Sequence, residues 1–219
     1  MIDLQLKKIN NHIKKGETKL AKDLLEETLL KFPQNIRIRE KLENLTSRYN
    51  NQNLKNKYIL EETNKIKLCL QEKKLDSALK DAQKLLDEIP DNAIILKVNA
   101  MANFEKGNIL EAIQLYTKSI NINPNDFESL SCIGLSYANI GDIKNAIKFY
   151  TKSIKINPKA TAVFNNLGII YYNIGNYDLS IKYLSKAIEL SPKNSIFYQN
   201  IGVSYRDKFL IEKAKKNFL

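Results

Sequence analysis

A chain of 219 residues with 43% hydrophobic content can build a continuous core, in one or two compact domains or one elongated array. One histidine, His12, excludes a histidine-based metal cluster, and Cys69 and Cys132, far apart and in no ligand pattern, read as two buried thiols in a reducing compartment. The net charge of +11 is dispersed, from +6 over residues 1–58 and −2 over 59–92 to +3 over 195–219, which reads as solvated lysines and disfavours nucleic acid or an anionic membrane as partner.

The N-terminus, MIDLQLKKIN, lacks the uninterrupted apolar stretch of a secretory signal. No segment approaches the roughly 18 apolar residues of a membrane span. The expected location is the cytoplasm.

Proline and glycine set the elements. Pro90, Pro124, Pro158 and Pro192 are each 34 residues apart, and Gly107, Gly141 and Gly175 share that step. Each of these glycines precedes a proline by 17 residues, as Gly16 precedes Pro33, and Gly134, Gly168 and Gly202 form a third series. Backbone punctuators at one period mark a single supersecondary unit, repeated and stacked.

In chain order, residues 2–35 make a first unit through Ile9, Gly16, Ala21, Leu25 and Pro33, and a third helix over 35–49 presents Ile36, Ile38, Leu42 and Leu45. Residues 1–49 are thus an N-terminal helical unit, one pair plus an extra helix. Pro90 follows Pro33 by 57 residues, which is 34 plus 23, and the run Asn50-Asn51-Gln52-Asn53 suggests a hinge over 50–58. The absence of Pro and Gly between 34 and 89 leaves open a helix running through it. The array then covers 59–219, in units 59–92, 93–126, 127–160, 161–194 and an incomplete 195–219. The expected helix pairs are 59–73/75–89, 93–106/109–122, 127–140/143–156 and 161–174/177–190, followed by 195–207 and 210–219.

The unit 127–160 shows why. Leu130, Ile133, Gly134 and Tyr137 share one helical face. Gly141 allows the positive φ of a helix C-terminus and Asp142 caps the next helix. Ile143, Ala146, Ile147, Tyr150 and Ile154 then face the core until Pro158 ends the run. Gly134 sits mid-helix, where glycine costs about 1 kcal/mol relative to alanine. Close approach of a neighbouring helix is the expected compensation.

These residues resemble the tetratricopeptide repeat. Phe164, Leu167, Gly168, Tyr171, Gly175, Ala187 and Pro192 match its alternation of large and small side chains in 161–194, as do Leu96, Ala100, Gly107, Ala112, Tyr116 and Pro124 in 93–126. The match weakens in 59–92, where Lys73 replaces the turn glycine and Glu62 a large apolar residue. The resemblance implies an all-α fold, a right-handed α-solenoid of antiparallel helix pairs. It also implies that the first helix of each pair lines a concave groove. Carried over position by position, the groove residues are Lys97, Met101, Phe104 and Glu105; Ser131, Leu135, Ala138 and Asn139; Asn165, Asn166, Ile169, Tyr172 and Asn173; and Gln199, Asn200, Val203 and Arg206. Asn166 and Asn200, in equivalent slots, resemble two rungs of the asparagine ladder of peptide-modifying glycosyltransferases. The carboxylate clamp of the family's cochaperones is disfavoured, because Met101, Leu135, Ile169 and Val203 hold slots where a clamp places an amide.

The expected function is a protein-interaction scaffold whose groove takes an extended peptide or a partner helix. With no phosphate loop, Cys–His constellation or HExxH in the sequence, neither catalysis nor a cofactor nor a metal is expected. Lys80, Lys148 and Lys182, with Lys84, Lys118, Lys152 and Lys186, form a stripe on the opposite face, read as solvation. In the alternative reading, the arrangement resembles the N-terminal region of bacterial proteins that continue into glycosyltransferase, sulfotransferase or methyltransferase domains, and would recruit substrate for a larger enzyme. Because the sequence stops at Leu219 without a terminating proline or capping helix, Tyr205, Leu210, Ala214 and Phe218 are expected to be uncovered and to promote self-association or fraying.

Overall fold

The computed structural model describes residues 2–217, with 213–217 described by backbone alone. Its regular elements are the helices α1 (Ile2–Lys14), α2 (Thr18–Lys31), α3 (Ile36–Gln71), α4 (Leu75–Glu88), α5 (Ala93–Lys106), α6 (Ile109–Ile122), α7 (Phe127–Asn139), α8 (Ile143–Ile156), α9 (Thr161–Asn173), α10 (Tyr177–Leu190) and α11 (Ser195–Asn217). The chain divides into two compact units, 1–62 and 63–219.

In the first unit, Gly16 takes φ +75° between α1 and α2, and Leu6, Ile9, Ala21, Leu25, Ile38 and Leu45 form a buried cluster. Residues 50–58, expected as a hinge, are helical and lie inside α3. Asparagine and glutamine lower helix propensity by only tenths of a kcal/mol each, and neither glycine nor proline interrupts the run. Pairs one turn apart support it: Gln52 Nε2 donates to Asn56 Oδ1 at 3.0 Å, and Lys57 and Glu61 lie 3.8 Å apart. The unit boundary accordingly falls within α3, after Glu62.

In the second unit, each helix from α4 onward packs on the next in the chain, and α9 also touches α7 and α11. The first helices α7, α9 and α11 thus lie side by side. The turns are local. Gly107, Gly141 and Gly175 adopt φ of +90°, +80° and +77°, and Asp142 and Asn176 cap α8 and α10 by accepting from the amides of Asn145 and Leu179 at 3.0 and 3.1 Å. Lys73 holds the same slot at φ +58°. A left-handed conformation costs a side-chain-bearing residue about 1–2 kcal/mol, offset here by burial of Ala78, Ala82 and Leu85 of α4. Serine tethers close two pairs: Ser119 Oγ donates to Ala93 O and Ser153 Oγ to Phe127 O, both at 2.8 Å.

The last expected turn does not form, and α11 runs unbroken through 207–210. Phe209 and Leu210 occupy the slots of turn glycine and cap, and supply neither positive φ nor a capping oxygen. Tyr205, Phe209, Leu210 and Ile211 are exposed. The Ala214 side chain and Phe218, grouped with them above, lie outside the described residues.

The mid-helix glycines mark close packing inside a pair. A β-carbon on Gly134 would stand 2.8 Å from the Tyr150 ring, and one on Gly168 would stand 2.5 Å from Leu184 Cγ. Both neighbours are fully buried. At Gly202 no described atom lies within 4 Å. Gly168→Leu is therefore expected to destabilise by about 1–3 kcal/mol through overpacking. Gly202→Ala should leave stability unchanged or raise it by up to about 1 kcal/mol through helix propensity. Urea unfolding of the two variants checks the contrast.

Candidate functional site

The first helices of the second unit carry the expected groove residues, with unequal freedom. Met101 and Phe104 of α5 and Leu135 of α7 converge with Leu70 of α3 on a cavity of about 530 Å³. Tyr116 and Cys132 also line it, and Lys67, Gln71, Lys73 and Glu105 complete its lining. Lys73 Nζ donates to Glu105 Oε2 at 3.0 Å. Burial pushes the Cys132 thiol up, against the opposing effect of its hydrogen bond to Tyr116, so it stays protonated near neutrality.

Lys97 is engaged within the protein. It lies 3.0 Å from Asp126 Oδ2 and also pairs with Glu128. Burial alone would lower the Lys97 pKa, but these two partners raise it. Burial would raise that of Asp126, but hydrogen bonds from Ser129 and Lys97 hold it below the usual carboxylate range. Asp126 also caps α7 through the amides of Glu128 and Ser129. Ser131 is half-buried, and exposed Asn139 donates to Leu135 O at 3.0 Å, within its own helix.

Asn166 and Asn200, equivalent in sequence, differ in role. Asn166 Nδ2 donates to the Tyr150 hydroxyl at 3.2 Å, beneath the wall. Burial pushes the Tyr150 hydroxyl up to about 12, with the Asn166 bond acting against it. Tyr116 and Cys132 make the corresponding contact one repeat earlier. One repeat later the slot of Tyr150 holds Leu184, which has no hydroxyl, and Asn200 Nδ2 donates instead to Asn165 Oδ1 at 2.8 Å. Ile169, Asn173 and Gln199 are exposed. Tyr172 donates its hydroxyl to Asp207 Oδ2 at 2.6 Å, and Arg206 Nε donates to Asp207 Oδ1 at 2.7 Å. Arg206 and then Tyr172 lower the Asp207 pKa.

Lys67, Tyr116, Cys132 and Asp207 are absent from the sequence-derived groove. Repeat arithmetic could have found two of them, since Lys67 lies one period before Met101 and Asp207 one period after Asn173. Tyr116 and Cys132 carry core-type signals and reach the cavity only through packing. On the opposite face, Lys148 and Lys152 lie 5.8 and 5.3 Å from the Phe149 ring centre, a contact worth about 0.5–1 kcal/mol at exposed sites. Part of the lysine stripe is thereby used within the fold. Among the described residues, no group of three His, Cys, Asp or Glu side chains could hold a metal ion, and no helix is long and apolar enough to cross a membrane.

The Asp126–Lys97 pair gives a pH-dependent term. A lowered carboxylate pKa contributes stability above the unfolded value of about 3.9, lost as pH falls through the folded value. A raised lysine pKa contributes below about 10.4, lost as pH rises through the folded value. Asp126→Asn keeps a capping oxygen and removes the charge, so it should cost about 1–2 kcal/mol at neutral pH. Urea unfolding at pH 7 and pH 3 should show the gap to the natural protein shrinking at the lower pH.

Fold and wall together define an all-α tetratricopeptide-repeat solenoid. Residues 100–126 and 129–160 match one family model described as "Tetratricopeptide repeat", and 161–194 match a second of the same description. The chain therefore carries tetratricopeptide repeats across these stretches. Among solved structures, a crystal structure of MamA is 25% identical, with 68% of this chain and 88% of that one covered at a TM-score of 0.60. A tetratricopeptide repeat protein from Parabacteroides merdae ATCC 43184 is 23% identical, covering 98% of this chain and 75% of its own at a TM-score of 0.58. The first repeat domain of Spaghetti (RPAP3), bound to the HSP90 peptide SRMEEVD, is 19% identical and covers 52% of this chain and 91% of its own at 0.51. The last two likenesses show the fold alone. No curated protein matches the chain in sequence.

Proposed function

We propose that the 63–219 unit is a protein-interaction scaffold that holds an extended peptide or partner helix against the wall of α5, α7, α9 and α11, the concave side of such an array. The observation that carries this reading is the continuity of the wall. The apolar cavity of Met101, Phe104 and Leu135 leads along the first helices to Asn173, Gln199 and the Asn165–Asn200 pair. Apolar side chains supply burial, and side-chain amides match the alternating donors and acceptors of a peptide backbone. The RPAP3 domain, which shares the fold, binds a peptide, and this supports the choice of ligand class.

The two asparagines should separate in function. Asn200→Ala is expected to weaken peptide binding by about 0.5–1.5 kcal/mol, roughly 2- to 13-fold in Kd, with little loss of stability. Asn166→Ala should instead destabilise by about 1–3 kcal/mol, because it strips the buried Tyr150 hydroxyl of its partner.

Photo-crosslinking tests the face. A benzophenone amino acid at Leu135 or Asn173 should form adducts with peptide ligands in whole cells, and at Lys148 or Lys182 it should form few. Adducts from the lysine positions alone would place the interface on the other face.

A further inference from the structure

We infer that the cavity between α3, α5 and α7 is an anchor for one bulky apolar side chain of the bound peptide, with Lys67 pairing to an acidic residue beside it. The ligand class is then a peptide carrying a large aliphatic or aromatic residue adjacent to Asp or Glu. This rests on the proposed peptide-binding wall and adds a chemistry to it.

Three observations converge. The cavity has about 530 Å³ and an apolar floor of Leu70, Met101, Phe104 and Leu135. A second cavity of about 420 Å³ adjoins it, sharing Lys67 and Met101 and lined in part by Ala93, Ile94 and Val98. A segment seated in both would cross Lys67. The charges then decide what lies beside the apolar anchor. Lys73 and Glu105 neutralise each other at 3.0 Å, and Lys97 is held by Asp126 and Glu128. Lys67 is half-buried and has no acidic partner among the described residues. It is the cation at the junction that stands outside an ion pair, beside a Lys97–Asp126–Glu128 cluster that carries one carboxylate in excess and also lines the second cavity. A carboxylate there gains a partner, and a cation there is repelled. Exposed Asn173 and Gln199 farther along the wall suit a peptide backbone better than an alkyl carboxylate.

Met1 and Met101 are the two methionines of the chain, so a methionine methyl label reports directly on the junction. The full chain, labelled at the methionine methyls, would be titrated by NMR with acetylated, amidated ten-residue Gly-Ser peptides. Their central pairs would be Phe-Asp, Phe-Asn, Ala-Asp or Phe-Lys, and decanoate would be a fifth ligand. The Phe-Asp peptide should shift the Met101 methyl and bind about tenfold tighter than Ala-Asp and about threefold tighter than Phe-Asn. Lys67→Ala should erase the preference for Asp over Asn, and Lys67→Glu should reverse the order of Phe-Asp and Phe-Lys. Equal affinities with a shifted Met101 methyl would overturn the anchor and leave the peptide-binding wall intact. Decanoate binding tighter than the Phe-Asp peptide, a rank order indifferent to Lys67, or no Phe-Asp binding at millimolar concentration would also overturn it. The crosslinks from Leu135 and Asn173 decide the wall independently.

Discussion

Tyr150 is the contact on which the stacking of this chain turns. Its ring fills the space that Gly134 leaves by having no side chain, and its hydroxyl accepts from Asn166 on the first helix of the next pair. One side chain thus closes its own hairpin and ties it to the following one. A helix pair of this length cannot bury its apolar stripe alone, so such junctions decide whether successive units form one body. Ala146, Tyr150, Val163 and Leu167 make that junction continuous with the core.

The same slot governs what the wall displays. Where it holds tyrosine, the polar group opposite is drawn beneath the surface, as with Asn166. Where it holds Leu184, the equivalent asparagine has nothing to reach inward and pairs with Asn165 instead. Where it holds Tyr116, the opposite residue is Cys132 and the surface above becomes an apolar cavity. A core position on the second helix therefore sets the chemistry of the surface that the next first helix displays. The gradient from an apolar first half to an amide-rich second half follows from it.

Much of this was legible in the sequence. Glycine tolerates positive φ at low cost, so Gly107, Gly141 and Gly175 fix the helix ends from α5 to α10 to within about a residue. The resemblance to tetratricopeptide repeats also put Met101, Phe104, Leu135 and Asn200 among the expected groove residues, and Met101, Phe104 and Leu135 do line one cavity. Two elements were not legible. The 23-residue offset before the main array looked like a break, yet a lost period is not a lost helix, and Asn50–Asn53 stay helical. At 207–210 the period persists but the chemistry of a turn does not, and α11 continues. Nor could the pattern distinguish Asn166 from Asn200, because their roles depend on residues 16 positions upstream, tyrosine in one case and leucine in the other. The pattern also did not show that Lys97 pairs within the protein, because its partners Asp126 and Glu128 stand at the end of its own repeat and the start of the next.

The central claim is that the Tyr150 hydroxyl and Asn166 act as one unit across the repeat boundary. A double-mutant cycle measures it directly, using urea unfolding of the natural protein, Tyr150→Phe, Asn166→Ala and the double variant. The account predicts a coupling of about 0.5–2 kcal/mol, with the double variant less destabilised than the sum of the single changes. Additive effects, with no coupling between the two positions, would contradict it.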